Sequence, residues 1–402
     1  MNVPKTKVEL HVHLDGSLRI TTIIELAKKK GIHLPSYDPK VFKEYVSLKE
    51  PKSLTCFLHC FSYFIPVIAG DPVALERIAY EFCEDKANDG VLYCEARYCP
   101  HILANCEVAG TVYAHDDNND CPPRRVVDSI CKGFEQGCKE FGVKIRTILC
   151  CMRHKPEWSL EIVDLCEEFR NRHVVGLDIA GDESMGEIPA MKEHVLAFRV
   201  PSIYLLLTLH CCTQCQNTHV PKFSLKIIFL FNCHNIFVFI KRAKELGIHR
   251  TVHAGEAGPA ASVHEAIFLL HAERIGHGYN VLQDPALYKL VINKKIHLEL
   301  CPTSSIITGA VPGPFHKHPA IKFARDGANF SLNTDDMLVC QTNMNHEFNI
   351  AFNEMKFSAA MLAKATFNAA RSSFLPPKEK EGLIEELKVI YGATLCSEGV
   401  DK

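Results

Sequence analysis

Four short blocks, far apart in a chain of 402 residues, carry the side chains that a hydrolytic metal centre needs. They read Glu9-Leu10-His11-Val12-His13-Leu14-Asp15-Gly16, Thr251-Val252-His253-Ala254-Gly255-Glu256, Gly276-His277-Gly278 and Asn333-Thr334-Asp335-Asp336. Each sets an imidazole or carboxylate at the end of an apolar run. Zinc in such a centre takes several N or O ligands, leaves a position open for water, and lowers that water's pKa from 15.7 to roughly 7. A pair of histidines at i, i+2 is by itself ordinary surface or core decoration. Its weight here comes from Asp15-Gly16 directly after it and from His253, His277 and Asp335 at the ends of other apolar runs.

The elements that must carry these groups are legible as runs rich in Val, Ile, Leu and aromatics, separated by longer stretches of helical spacing. Eight runs fit strands, near residues 8–14, 91–97, 144–150, 174–180, 250–255, 274–277, 296–301 and 328–334. Eight strands alternating with helices predict an α/β fold, a closed (β/α)8 TIM barrel with extra helices, and the four blocks fall at the strand ends where such barrels build active sites. In the first strand, two-residue periodicity puts Val8, Leu10, Val12 and Leu14 on one face and Glu9, His11 and His13 on the other, so both imidazoles are expected to point toward the barrel axis.

The chain has 45 basic and 47 acidic residues and a formal net charge of −2, which gives no field favouring nucleic acid or an anionic membrane. A small molecule is the expected partner. Nineteen cysteines would suit a disulfide framework, but residues 1–7 lack an apolar signal region, so the thiols are read as reduced and the protein as cytoplasmic. The Asn329-Phe330-Ser331 sequon lies in a run that reads as a buried strand and is given no meaning.

One segment departs from the pattern. Residues 200–241 contain no Asp, Glu or Arg, and their only charged residues, histidine aside, are Lys222, Lys226 and Lys241. This apolar insert splits what otherwise reads as one amphipathic helix between strands 4 and 5, joining residues 193–199 to 242–247 with Gly247 as its stop. Residues 223–240 have the length of a membrane span, but Lys226, Asn232, His234 and Asn235 within them argue against one. His210, Cys212, Cys215, His219, Cys233 and His234 match no standard zinc spacing. The insert begins with Val, whose codons start GT, and ends with Lys, which AAG can encode. A retained intron translated in frame, or a looped-out segment, fits that better, leaving one barrel domain over 1–402.

Taken together, the motifs at 9–17, 180–183, 249–256, 274–279, 301–305 and 331–336 resemble the adenosine deaminase family of the amidohydrolase superfamily, over nearly the whole chain except the insert. The resemblance implies one zinc ion per chain held by His11, His13, His253 and Asp335, and Glu256 protonating purine N1. It implies His277 orienting the attacking hydroxide and stabilising negative charge, Asp336 bonding N7, Gly181 offering its backbone N–H to N3, and Asp15 on a ribose hydroxyl, with His13 also facing the substrate. Leu54, Phe57, Leu58 and Phe61, an i, i+3, i+4, i+7 stripe that is more often plain core, become a lid over the base. The bland alternatives are a loop carboxylate for Glu256 and a core imidazole for His277.

The implied reaction is hydrolytic deamination of adenosine and 2′-deoxyadenosine in purine catabolism and salvage. A carboxylate at Asp15 disfavours a 5′-phosphate. A related deaminase acting on AMP or an N6-modified AMP is the alternative, and a third reading is an isoform impaired because the insert disrupts the barrel. The resemblance further allows a monomer, a cell-surface protein partner, and a lysosomal or cell-surface pool.

Overall fold

The computed structural model describes residues 3–104, 107–108, 111–112, 121–183, 194, 197 and 243–398. Eight strands form one sheet: β1 (Lys7–His13), β2 (Val91–Tyr98), β5 (Lys144–Met152), β6 (Val174–Ala180), β7 (His249–Ala254), β8 (Arg274–His277), β9 (His297–Leu300) and β10 (Phe330–Leu332). β3 (Glu107–Val108) and β4 (Thr111–Val112) make a separate two-stranded antiparallel pair. Successive strands of the large sheet pair in parallel. The ring closes where His13 N–H donates to the Asp335 carbonyl at 2.8 Å and Asp335 N–H donates to the His11 carbonyl at 3.1 Å. This is the expected (β/α)8 TIM barrel, with every strand end within two residues of expectation.

Local chemistry explains where the helices begin. Asp71 caps Pro72–Asn88 by accepting from Val73 and Ala74 N–H, and Asp284 caps Pro285–Asn293 by accepting from Ala286 and Leu287 N–H, each with Pro at the first helical position. Helix Pro72–Asn88 packs tightly on Pro123–Phe141 because two glycines face it: a Cβ on Gly133 would lie 2.2 Å from the Glu76 carbonyl, and one on Gly137 would lie 2.6 Å from Cys83 Cβ. Extra helices Ile20–Lys30, Pro39–Val46 and Leu54–His59 lie between β1 and β2, and Pro377–Glu398 follows the last barrel helix, Ala359–Ser372.

The two faces of β1 divide as periodicity predicts. Val8 and Leu10 pack with Ala363, Phe367, Leu383 and Leu387 of the last two helices, while Val12 and Leu14 join the main core. The inward side is ionic rather than apolar. Arg97 lies 2.7 Å from Asp178 and 2.8 Å from Glu299; Arg274 lies 2.6 Å from Glu95 and 2.7 Å from Glu299; Lys86 lies 2.6 Å from Glu9; all are fully buried or nearly so. Charges removed from water at this depth persist only when matched in this way.

The insert at 200–241 lies outside the described residues. Of the helix it was expected to split, residues 243–247 form turns. They close as a helix end does: Ile248 N–H donates to the Ala243 carbonyl, Gly247 N–H to the Lys244 carbonyl, and Gly247 has φ +64°. Thirteen cysteines between Cys56 and Cys340 are free thiols. No single helix among the described residues is long and apolar enough to cross a membrane.

Candidate active site

The strand ends of β1, β7, β8 and β10 bring His11, His13, His253, His277 and Asp335 together. One ligand atom from each of His11, His253, His277 and Asp335 lies within 4.8 Å of the others, and His13 forms an overlapping group with Asp335 and Asp336. His11 Nε2 stands 3.1 Å from Asp335 Oδ1 and His13 Nε2 3.4 Å from the same oxygen. His13 Nε2 and His253 Nε2 are 3.2 Å apart. His277 therefore belongs to the same cluster as the four expected ligands, and its Nε2 lies between Glu256 Oε2 at 3.6 Å and Asp335 Oδ2 at 3.9 Å.

Asp335 and Asp336 both reach this cluster, though not by the alternation of an extended strand. The strand has ended at Leu332, and Asp335 takes φ +63°, a left-handed conformation costly for a residue with a Cβ. His277 shares it at φ +63°. Gly16 makes room for the second carboxylate, since a Cβ there would sit 1.7 Å from Asp336 Oδ1.

Behind the cluster stand carboxylates that the motif reading did not single out. His11 Nδ1 is 2.8 Å from Glu299 and His253 Nδ1 is 2.8 Å from Asp178. Arg97 touches both carboxylates, and Ser304 Oγ donates to Asp335 Oδ2 at 2.6 Å. A carboxylate on the far nitrogen fixes an imidazole's tautomer and turns the other lone pair inward, as metal-binding histidines require. His11 Nε2 is buried with no hydrogen-bond partner of its own. Converging imidazole lone pairs and a carboxylate, with an orphaned buried nitrogen, are what a cation would satisfy, so the donor set fits a metal ion. A charged residue inside an otherwise apolar strand, Asp178 in Gly-Leu-Asp-Ile or Glu299 in His-Leu-Glu-Leu, was the signal that could have revealed these partners.

The cluster opens into a cavity of about 420 Å³. Every expected substrate contact lines it: His13, Asp15, Leu54, Phe57, Leu58, Phe61, Gly181 and Asp336, together with Glu256 and His277. The stripe from Leu54 runs as helix Leu54–His59 and continues in a 3₁₀ turn, Cys60–Tyr63, on the cavity's rim. Cys99, Met152, His154 and Trp158 complete the wall and carried no signal in the sequence.

The electrostatics separate the carboxyl groups into two kinds. Burial, reinforced by the charge of Asp335, pushes Glu256 up to about 8, and burial with the same neighbour pushes Asp336 well above the usual carboxylate range. Burial raises Asp15 to about 7. Burial would raise Asp335 too, but His11, whose Nε2 stands 3.1 Å away, outweighs it and holds Asp335 well below its ordinary value. Burial keeps His13 and His277 neutral by lowering both well below the usual imidazole value. One face thus presents lone pairs to a cation, and on the other burial biases the acids that face a ligand toward their protonated forms.

Fold and site define a barrel hydrolase with a buried His/Asp group that fits a metal ion. A profile of the adenosine deaminase family matches residues 4–213 and 230–390. Adenosine deaminase of Xenopus tropicalis is 44% identical over 393 residues, covering 98% of each chain, and that of Gallus gallus is 42% identical over 386 residues, covering 96% of this chain and 95% of its own. Among solved structures, adenine deaminase from Arthrobacter aurescens superposes with a TM-score of 0.73 at 22% identity, covering 96% of this chain and 98% of its own. A zinc-bound amidohydrolase from Burkholderia ambifaria gives 0.73 at 22%, covering 98% and 93%. The chain belongs to the adenosine deaminase family.

Proposed function

We propose that the protein catalyses hydrolytic deamination of adenosine and 2′-deoxyadenosine to the corresponding inosines and ammonia, with one zinc ion per chain, as a step of purine catabolism and salvage. The observation that carries this reading is that two buried acids, Glu256 and Asp336, face the same apolar cavity as the donor cluster, where burial favours their protonated forms. Purine N1 and N7 are acceptors only, so a carboxyl group binds them only while it keeps its proton. Glu256 donates to N1 and Asp336 to N7, and both withdraw electrons from C6. Gly181, at φ +101°, brings its backbone close to the far edge of the ring at N3. Asp15 meets the ribose hydroxyl, and in its ionised form it opposes a 5′-phosphate there.

His11, His13, His253 and Asp335 are the groups we assign to the ion, because His13 Nε2 approaches both His253 and Asp335 while His277 stands toward Glu256. A zinc ion so held supplies an activated water at neutral pH. His277 orients the attacking oxygen and steadies the negative charge that grows there. Leu54, Phe57, Leu58 and Phe61 cover the base and exclude bulk water, which strengthens each polar contact beneath them.

The barrel is taken as one domain over 1–402 that tolerates the insert as a looped-out segment, because loop-closure entropy rises only about 0.6 kcal/mol per doubling of length. The profile match breaks at 214–229, inside that insert. The test is turnover of adenosine, 2′-deoxyadenosine and AMP, with zinc stoichiometry, by the purified chain with and without residues 200–241. Expected are one zinc per chain and adenosine preferred to AMP in both forms. AMP preferred to adenosine overturns the nucleoside reading, and activity only in the shortened chain assigns this form to an impaired isoform.

A further inference from the structure

Glu183 lies beyond the end of β6 and has no part in the reaction just described. Its buried carboxylate nevertheless accepts four successive backbone N–H groups of the loop after β7: Gly255 at 2.8 Å on Oε1, and Glu256 at 2.9 Å, Ala257 at 3.1 Å and Gly258 at 2.9 Å on Oε2. Four consecutive amides converging on one anion form a concave nest, and hydrogen bonds to an ionised acceptor are about twice as strong as neutral ones. The loop so gripped contains Glu256. Gly255 enters the nest at φ +69°, and a Cβ on Gly258 would lie 2.5 Å from Glu183 Oε1, so both glycines shape the loop around this carboxylate.

Other contacts complete the clamp from the opposite side. Asn280 Nδ2 donates to the carbonyls of Glu256 and Gly258 at 2.9 and 2.8 Å, and Thr308 Oγ1 donates to Glu256 Oε1 at 3.1 Å. Glu183 is two residues from Gly181, which faces the same cavity. The carboxylate therefore ties two walls together: the strand end that carries Gly181 and the loop that carries Glu256.

We infer that Glu183 is a positioning residue for Glu256, holding the loop after β7 at a fixed distance from the loop after β6, so that the acid and the Gly181 backbone meet opposite parts of one flat substrate. The inference rests on Glu256 being the proton donor of the proposed reaction. Because Glu183 acts through the placement of another group, it governs the transition state more than binding. A displacement near 1 Å can cost about 100-fold in rate.

The test is a double-mutant cycle on the full chain with zinc content and thermal melting measured alongside. Glu183→Gln keeps the size of the side chain but turns an N–H group against the amides of the nest. The expected loss is about 30- to 100-fold in kcat, with KM within about threefold and one zinc retained. In a Glu256→Gln background the same change costs less than about threefold, since the group it positions is already disabled. Gly258→Ala disturbs the nest without removing charge and gives the same split between kcat and KM, which covers the case in which Glu183→Gln fails to fold. Near-normal kcat in either folded variant overturns the inference, as do losses that multiply in full with Glu256→Gln or that follow loss of zinc. A Glu256→Gln protein that turns over adenosine normally removes instead the reading of Glu256 as the proton donor.

Discussion

The floor of the cavity and the helix proposed as its lid are built on opposite principles. On the floor four reactive groups have buried partners: His11 has Glu299, His253 has Asp178, Asp335 has Ser304 and Glu256 has Thr308. The lid helix Leu54–His59 buries Leu54 and Phe57, leaves Leu58 half-buried and exposes Thr55 and Cys56. It meets the far wall through an exposed hydrogen bond, Thr55 Oγ1 to Asp182 Oδ2 at 2.6 Å. Groups that must hold charge in a dry place are over-determined, whereas a cover that must admit a substrate is held by contacts that water can replace. Changes to the floor are expected to act on metal retention and kcat, and changes to the lid on KM.

The largest effect expected on the floor comes from Glu299→Gln. Glu299 backs His11 and matches Arg97 and Arg274. Loss of such a partner weakens metal binding by about 10- to 100-fold, and removing one charge from a buried network that leaves Arg97 to Asp178 and Arg274 to Glu95 alone costs up to about 3–5 kcal/mol of stability. Competition with a chelating dye and a melting curve read these separately. Zinc affinity and melting temperature both at wild-type values would show that the floor is not over-determined.

Gly16→Ala tests the floor without touching a charge. With the new methyl directed at Asp336 Oδ1, that carboxyl must turn away from its place, and kcat is expected to fall about 10- to 100-fold while zinc stays bound. Unchanged kcat, with the substitution verified by mass, refutes the role given to Asp336.

Much of this floor was legible because its chemistry lies in contiguous words. Glu9 to His13 lies on one strand whose alternation aims His11 and His13 inward, with Asp15 and Gly16 in the turn directly after it, and the eight apolar runs located the barrel strands. The clamp of Glu183 on residues 255–258 and the bond between Thr55 and Asp182 join segments 72 to 127 positions apart and follow no period. The left-handed backbone of Asp335 was equally hidden, since Asn-Thr-Asp-Asp reads as a strand end, and closure against β1 imposes the turn.

Behind the floor, Glu347 accepts from Thr303 N–H and Thr342 Oγ1 and is fully buried. Burial raises it to about 7 from an ordinary value of 4.5. A carboxyl raised on folding binds its proton more tightly in the native state, so its contribution to stability is full below about pH 4.5 and is lost as pH rises through about 7. Glu347→Gln removes this titration and is expected to flatten the melting temperature between those limits. An unchanged slope would mean that other groups set the pH dependence.

The smallest expected effect belongs to the lid. Thr55→Val keeps the shape and deletes the hydrogen bond to Asp182, which at an exposed position is worth about 0.5–1 kcal/mol, or a factor of about 2–5. If the closed lid is favoured by that bond, the loss falls on KM for adenosine, because opening is stabilised while the groups beneath remain in register. Asp182→Asn, which still accepts from Thr55 but without charge, should fall between wild type and Thr55→Val. A fall in kcat at constant KM would instead make the lid part of the catalytic floor, and the division between the two regions would have to be redrawn.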